Sequence, residues 1–87
     1  MANKRNLKKG INYVASELFL ECLVLKQIKK ADATKADEIL ADILNLQNEF
    51  LARAGHPEPG NVTGHYRKLN QDFANEVDLI IRRIQAM

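Results

Sequence analysis

The feature that most constrains this chain is a run of eight residues in which a single side chain is polar. Residues 18–25 read Leu-Phe-Leu-Glu-Cys-Leu-Val-Leu, and only Glu21 is polar. The apolar spacing around this run is helical, so apolar side chains surround nearly the whole helix. A helix that is apolar on all sides must be covered on all sides. One chain of 87 residues has few other elements with which to cover it.

Apolar residues spaced three and four positions apart predict helices over residues 6–30, 33–54 and 62–86. Residues 55–61 are the predicted loop, because this part of the chain and its flanks hold both prolines and most of the glycines. We find no alternating pattern typical of a strand. The sequence therefore predicts an all-α fold, a small antiparallel three-helix bundle that forms a single domain over residues 1–87.

Each predicted helix has one apolar stripe that we expect to face the core. The stripe of the first helix is Leu7, Ile11, Val14, Leu18, Cys22 and Leu25. The stripe of the second helix is Ala36, Ile39, Leu40, Ile43, Leu46, Phe50 and Ala54. The stripe of the third helix is Val62, Tyr66, Leu69, Phe73, Val77, Ile80 and Ile84.

The first helix also has a second apolar set, which successive turns of about 100° place on the other side of its axis. Large apolar patches on small domains usually mark interfaces, and twofold pairing is the commonest oligomer. We therefore expect a homodimer that forms through this set. In the alternative interpretation, the first helix is the central helix and its neighbours cover both sides. The predicted dimer interface is Tyr13, Phe19, Leu20, Leu23 and Val24.

The charges are nearly balanced, with a formal net charge of +2, but their distribution is uneven. In an antiparallel bundle, cations collect at the end that carries the loop, where little beyond Glu58 opposes them. This arrangement indicates a second function class, a weak nucleic-acid or polyanion binder, although a basic end that is merely solvated gives the same pattern. The predicted basic patch is Lys4, Arg5, Lys8, Lys9, Arg53, Arg67 and Lys68.

Residues that could form a chemical site are few. His56, Glu58 and His65 lie in or beside the loop, but a zinc site normally supplies three or four converging ligands. Cys22 is the only cysteine, so we expect a small apolar side chain with an inert thiol and no internal disulfide.

Two pairs of carboxylates have the spacing that places both members on one helix face. These pairs are Glu17 with Glu21 and Asp72 with Glu76. The Glu-x-x-His motif of di-iron bundles is absent from the sequence. A carboxylate metal or enzyme site is therefore the third and weakest function class. The sequence predicts no catalytic residue, no metal and no cofactor.

The amino-terminal cations followed by an apolar run imitate a secretory signal. Asn12, Ser16 and Glu17 interrupt the apolar part, and no small-residue cleavage pattern follows it. A membrane span would have to bury Glu17 and Glu21. We therefore expect a cytoplasmic protein that does not enter the membrane.

Residues 7–23, Leu-Lys-Lys-Gly-Ile-Asn-Tyr-Val-Ala-Ser-Glu-Leu-Phe-Leu-Glu-Cys-Leu, resemble the opening of small bacterial helical proteins that have no assigned function. This resemblance covers about a fifth of the chain and includes no catalytic motif. It implies an all-helical fold and a bacterial, cytoplasmic origin, and it transfers no functional residue. Together these patterns predict a small helical interaction or assembly module.

Overall fold

The computed structural model describes residues 4–29, 33–57 and 59–87 of the chain. The described residues form three α-helices and contain no β-strand. The prediction of an all-α fold is confirmed.

The ends of the helices lie within two residues of the predicted ends, apart from the predicted end at Lys30, which falls outside the described residues. Gly55, the first residue of the predicted loop, is the last residue of the second helix. The helices are α1 (Lys4–Lys29), α2 (Ala33–Gly55) and α3 (Val62–Gln85).

A single hydrophobic cluster of buried residues joins the three helices. The α2 stripe is buried nearly as predicted, whereas Val62 of the α3 stripe is exposed. Ala15, which the stripes omit, is buried. The buried residues are Ile11, Ala15, Leu18, Cys22, Ala36, Ile39, Ile43, Leu46, Phe50, Ala54, Leu69, Ile80 and Ile84.

The central helix is α2, because it makes the principal helix–helix contacts with both α1 and α3. The alternative in which the first helix is central therefore does not describe this molecule. Near the start of α1, Lys8 lies beside Gly55 at the end of α2. Near the end of α1, Lys26 forms an ion pair with Asp37 in the first turns of α2. Since α1 packs mainly on one side, much of its circumference has no neighbour.

Small residues let α1 and α2 approach closely. Ala15 and Cys22 of α1 and Ala36 of α2 are almost completely buried. The Cys22 thiol donates to the backbone carbonyl of Ala36 across 3.6 Å, so a side chain of one helix touches the backbone of the other. Burial also raises the pKa of this thiol. Cys22 therefore acts as a packing residue, because the thiol is both covered and protonated at neutral pH.

The three helices form an elongated body with extents of 49 × 18 × 18 Å. Its length exceeds that of α1, which is about 39 Å at 1.5 Å per residue. Among the described residues, none of the helices is apolar over a stretch long enough to cross a bilayer.

Candidate interaction surface on helix α1

Large apolar side chains that remain exposed are concentrated on α1. Leu20 and Tyr13 are 63% and 66% exposed, and Val24 and Ile28 are 45% and 71% exposed. Elsewhere in the described residues, such side chains are scattered, with Leu44 on α2 and Val62 and Leu79 on α3. An isolated exposed apolar side chain is ordinary, but four on one helix form a patch.

One edge of this patch borders a groove between α1 and α2, which we call the neutral groove. Its walls are formed by Phe19, Leu20 and Leu23 of α1 and by Leu44 of α2. The remaining lining residues are Ala15, Ser16, Ile43 and Gln47. The groove encloses about 260 Å³, and none of its lining residues is charged.

The other edge of the patch is acidic. A shallow depression there is lined by Glu17 and Glu21 together with Leu20, Val24 and Leu25. A hydrogen bond to Glu17 and the negative charge of that carboxylate raise the pKa of the Tyr13 hydroxyl. Leu20 therefore lies at the boundary between a neutral edge and an acidic edge.

The structure divides the predicted interface residues into two groups. Tyr13, Leu20 and Val24 are exposed, as a docking surface requires. Phe19 is half-buried and packs against the core, and Leu23 is half-buried in the wall of the neutral groove. Two of the five predicted interface residues, Phe19 and Leu23, therefore lie between the core and the surface.

Sequence reasoning missed two exposed apolar residues beside this surface, Ile28 and Leu44. Ile28 follows Val24 by four positions, which places it on the same face of α1, so the helical spacing contained that signal. Leu44 lies about 100° away from Ile43 around α2, outside the main stripe. Its place in the groove depends on how α1 and α2 are aligned, which the sequence pattern does not specify.

The basic end of the molecule is less positive than its cations imply. Arg53 and Lys68 both pair with Asp72, at N–O distances of 2.9 and 3.1 Å. Hydrogen bonds from Arg53 and then Lys68 lower the pKa of the Asp72 carboxyl. The Arg53 guanidinium also lies 4.8 Å from the centre of the Phe50 ring. Two of the seven predicted cations are thus engaged within the protein.

Lys4 and Lys8 lie over the carboxyl end of α2. A Cβ atom added to Gly55 would be 3.4 Å from Lys8 Nζ and 4.0 Å from Lys4 Cε. The helix dipole favours cations at this end, which offsets part of the repulsion that they experience at the start of α1. Arg5, Lys9 and Arg67 are exposed.

The histidine beside the loop has a structural contact. His65 donates from Nε2 to the Arg53 carbonyl across 2.8 Å, and since a carbonyl only accepts, Nε2 carries the proton. The Tyr66 hydroxyl donates to the Ala54 carbonyl at 3.5 Å. The first turns of α3 therefore satisfy carbonyls at the end of α2, which would otherwise lack partners. Glu58 lies outside the described residues.

Two glycines shape this connection. Gly60 has a φ of +83°, a region that glycine enters without a steric penalty. A Cβ at Gly64 would lie 2.5 Å from Oδ1 of Asn61, so that side chain occupies the space over the first turn of α3. Asn61 stands at the N-cap of α3 and makes no side-chain capping bond.

A second groove lies between α2 and α3. Most of the charged side chains that line it form ion pairs, either between the two helices or along α3. We call it the charged groove; it encloses about 600 Å³ around Leu79. Arg83 binds Asp42 across it at 2.7 Å, and Glu49 and Glu76 also line it. Both signs of charge are therefore present in this groove, unlike the neutral groove on the other side of α2.

No metal-binding constellation joins these features. Within residues 4–29, 33–57 and 59–87, no group of three or more His, Cys, Asp or Glu side chains is arranged to hold a metal ion. The pair Asp72 and Glu76 is divided, because Asp72 binds cations and Glu76 lines the charged groove.

Comparisons with protein families, curated proteins and solved structures give no match to this chain.

Proposed function

We propose that this protein is a small helical assembly module that forms a homodimer through α1. The observation that carries the proposal is the concentration of exposed Tyr13, Leu20, Val24 and Ile28 on one helix. A second copy would remove this apolar surface from water, which is the main favourable term in protein association.

The proposed protomer is an antiparallel three-helix bundle. In support, the contacts between α1 and α2 join early residues of one to late residues of the other, as with Lys8 and Gly55. The ion pairs between α2 and α3 follow the same order, Arg53 with Asp72 and Asp42 with Arg83. In this arrangement α3 covers the side of α2 away from the neutral groove.

The exposed area is adequate for a specific dimer. A large aromatic side chain presents about 150–250 Å² when fully exposed. With somewhat smaller values for the aliphatic side chains, the four α1 residues and Leu44 present about 500 Å² in each copy. Two copies would then bury about 1,000 Å², which reaches the lower limit for a biological interface.

The basic end supports a second candidate, weak binding of a nucleic acid or other polyanion. Within residues 4–29, 33–57 and 59–87, Lys4, Arg5, Lys9 and Arg67 form no ion pair with an acidic side chain, whereas Asp72 neutralises Arg53 and Lys68. The remaining charge is small, so we place this function second. We also propose a cytoplasmic location, which the single cysteine of the sequence favours.

The experiment that tests the dimer is a paired substitution, Leu20→Asp with Val24→Lys. Both side chains are exposed, so the protomer should keep its helical circular dichroism while its mass in solution falls to that of one chain, 9.9 kDa. If folding and dimerisation are inseparable, helicity and dimer are lost together.

The matched control is Leu79→Asp, because Leu79 is 54% exposed and lies on α3 in the charged groove. This variant should remain dimeric. A paired variant that keeps the mass of the unaltered protein, or a Leu79→Asp variant that becomes the monomer instead, would place the interface elsewhere and overturn the proposal.

A further inference from the structure

Unlike the rest of the α1 surface, the neutral groove is lined by no charged residue. Phe19, Leu20 and Leu23 face Leu44 across it, and Glu17 and Glu21 line the other edge of the patch. In a twofold interface, residues near the axis approach their own copies. Like charges brought together in this way repel, so a pairing centred on the acidic edge is disfavoured relative to one centred on the groove.

The polar groups in the neutral groove also permit burial. Gln47 donates from Nε2 to Oδ1 of Asn12 at 2.7 Å, so this donor already has a partner before anything docks. Ser16 has a hydroxyl that rotates to find a local acceptor. Covering the groove therefore buries no charged group. Burial of an unpaired charge is often the largest cost in a badly matched interface.

The dimensions of the groove suit the side chains of a helix. Its volume of about 260 Å³ is below the 300–1,000 Å³ that is usual for small-molecule sites. A row of leucines from a helix fits such a space by packing ridges into grooves. The α1 helix supplies such a row, since Leu20 is 63% exposed beside Leu23.

We propose that the occupant of the neutral groove is α1 of a second copy, with Leu20 of each protomer packed against Leu44 of the other. The centre of the dimer is then a four-helix core made of α1 and α2 from both chains, and α3 lies outside it. Tyr13, Val24 and Ile28 lie at the margin of this contact, where the second copy covers them but Leu44 does not reach them. This inference rests on the dimer proposed above and specifies which face forms it.

Disulfide crosslinking between two singly substituted proteins tests this geometry. Leu20→Cys protein is mixed with Leu44→Cys protein, exchanged at low concentration, concentrated and oxidised. Mixing is required because both positions border one groove and a double variant could link within its own chain. We expect a hetero-disulfide between the two chains, identified by mass spectrometry. Unaltered protein serves as the blank, because its Cys22 is fully buried.

The matched control mixes Leu44→Cys protein with Ile28→Cys protein in place of Leu20→Cys protein. Ile28 is on α1 but away from the groove. This mixture should crosslink at least tenfold less than the first. Two results would overturn the groove geometry and leave the dimer standing, provided that sedimentation shows the protein to be dimeric. One is that Ile28→Cys and Leu20→Cys crosslink equally well to Leu44→Cys. The other is that Leu20→Cys does not crosslink to Leu44→Cys. A monomeric unaltered protein would overturn both proposals.

A second measurement does not depend on crosslinking. Leu44→Asp should raise the dimer dissociation constant by at least tenfold, while Leu79→Asp, at similar exposure, should change it by less than twofold. Circular dichroism confirms that each variant is folded. Equal effects of the two substitutions would contradict a role for Leu44 in the interface.

Discussion

The two sides of α2 are built differently. Toward α3, charged side chains form ion pairs between the helices, Arg53 with Asp72 and Asp42 with Arg83, and Phe73 meets Phe50 edge-on with ring centroids 5.2 Å apart. Toward α1, small residues pack closely and leave the neutral groove on the surface. The side toward α3 is thus satisfied within one chain, whereas the side toward α1 still exposes apolar surface.

This difference indicates how a chain of 87 residues divides its limited apolar surface. The amphipathic helix α3 needs a single neighbour, and its polar face carries charges that bind across to α2. The first helix is apolar over more of its circumference than α2 covers. The difference predicts that substitutions of buried or ion-paired side chains change the stability of the protomer, while substitutions of exposed side chains at the neutral groove change assembly.

The largest expected effect is at Phe50, the buried aromatic residue of the α2–α3 contact. Phe50→Ala should lower the free energy of unfolding by about 3–5 kcal/mol, because it removes a large buried side chain and leaves a cavity. Chemical denaturation measures the change. The control is Leu79→Ala at an exposed position, for which we expect less than about 1 kcal/mol. Similar losses in the two variants would show that the assigned core is wrong.

The next largest effect on the free energy of unfolding is expected where α1 packs against α2. Ala15→Leu should lower the free energy of unfolding by about 1–3 kcal/mol, because the larger side chain has no room where Ala15 is 1% exposed. The same substitution at Ala41, which is exposed on α2, should change it by less than about 0.5 kcal/mol. An Ala15→Leu variant whose free energy of unfolding is unchanged would refute the close packing on this side.

A smaller effect concerns the ion pairs of the α3 side. Arg53 and Lys68 hold the pKa of Asp72 below its usual value, so the stabilisation is present above that value and is lost as pH falls through the lowered pKa. Asp72→Asn should therefore lower the Tm at pH 7, and its difference from the unaltered protein should shrink below about pH 4.

The control for this pH dependence is Asp78→Asn. Asp78 pairs with Arg82 along one helix, and both side chains are largely exposed, so we expect a smaller change in Tm. A constant Tm difference between Asp72→Asn and unaltered protein from pH 7 to pH 3 would contradict the assigned role of the carboxylate.

The smallest effect is expected at the basic end. Replacing Lys4, Arg5, Lys8 and Lys9 with Gln should flatten the salt dependence of any binding to a polyanion such as heparin, and the helicity should remain. The control replaces Lys26 and Lys29, at the other end of α1, with Gln. An unchanged salt dependence in the first variant would remove polyanion binding as a candidate function.

The sequence was sufficient to predict the helices and much of the core, because those depend on spacing within one segment. The exposure of Tyr13, Leu20 and Val24 also followed from the helical turn. The positions of Phe19 and Leu44 did not, because they depend on where α1 lies on α2. We had paired Asp72 with Glu76 on one helix face, and its ion pair with Arg53 depends likewise on the alignment of two helices.

The most direct test of the central claim is the mass of the unaltered protein in solution, measured by sedimentation equilibrium over a range of concentrations around tens of micromolar. Exposed apolar surface on α1 predicts a species of twice 9.9 kDa that dissociates on dilution. A mass of 9.9 kDa throughout that range would contradict the account, since α1 would then keep its apolar side chains in water.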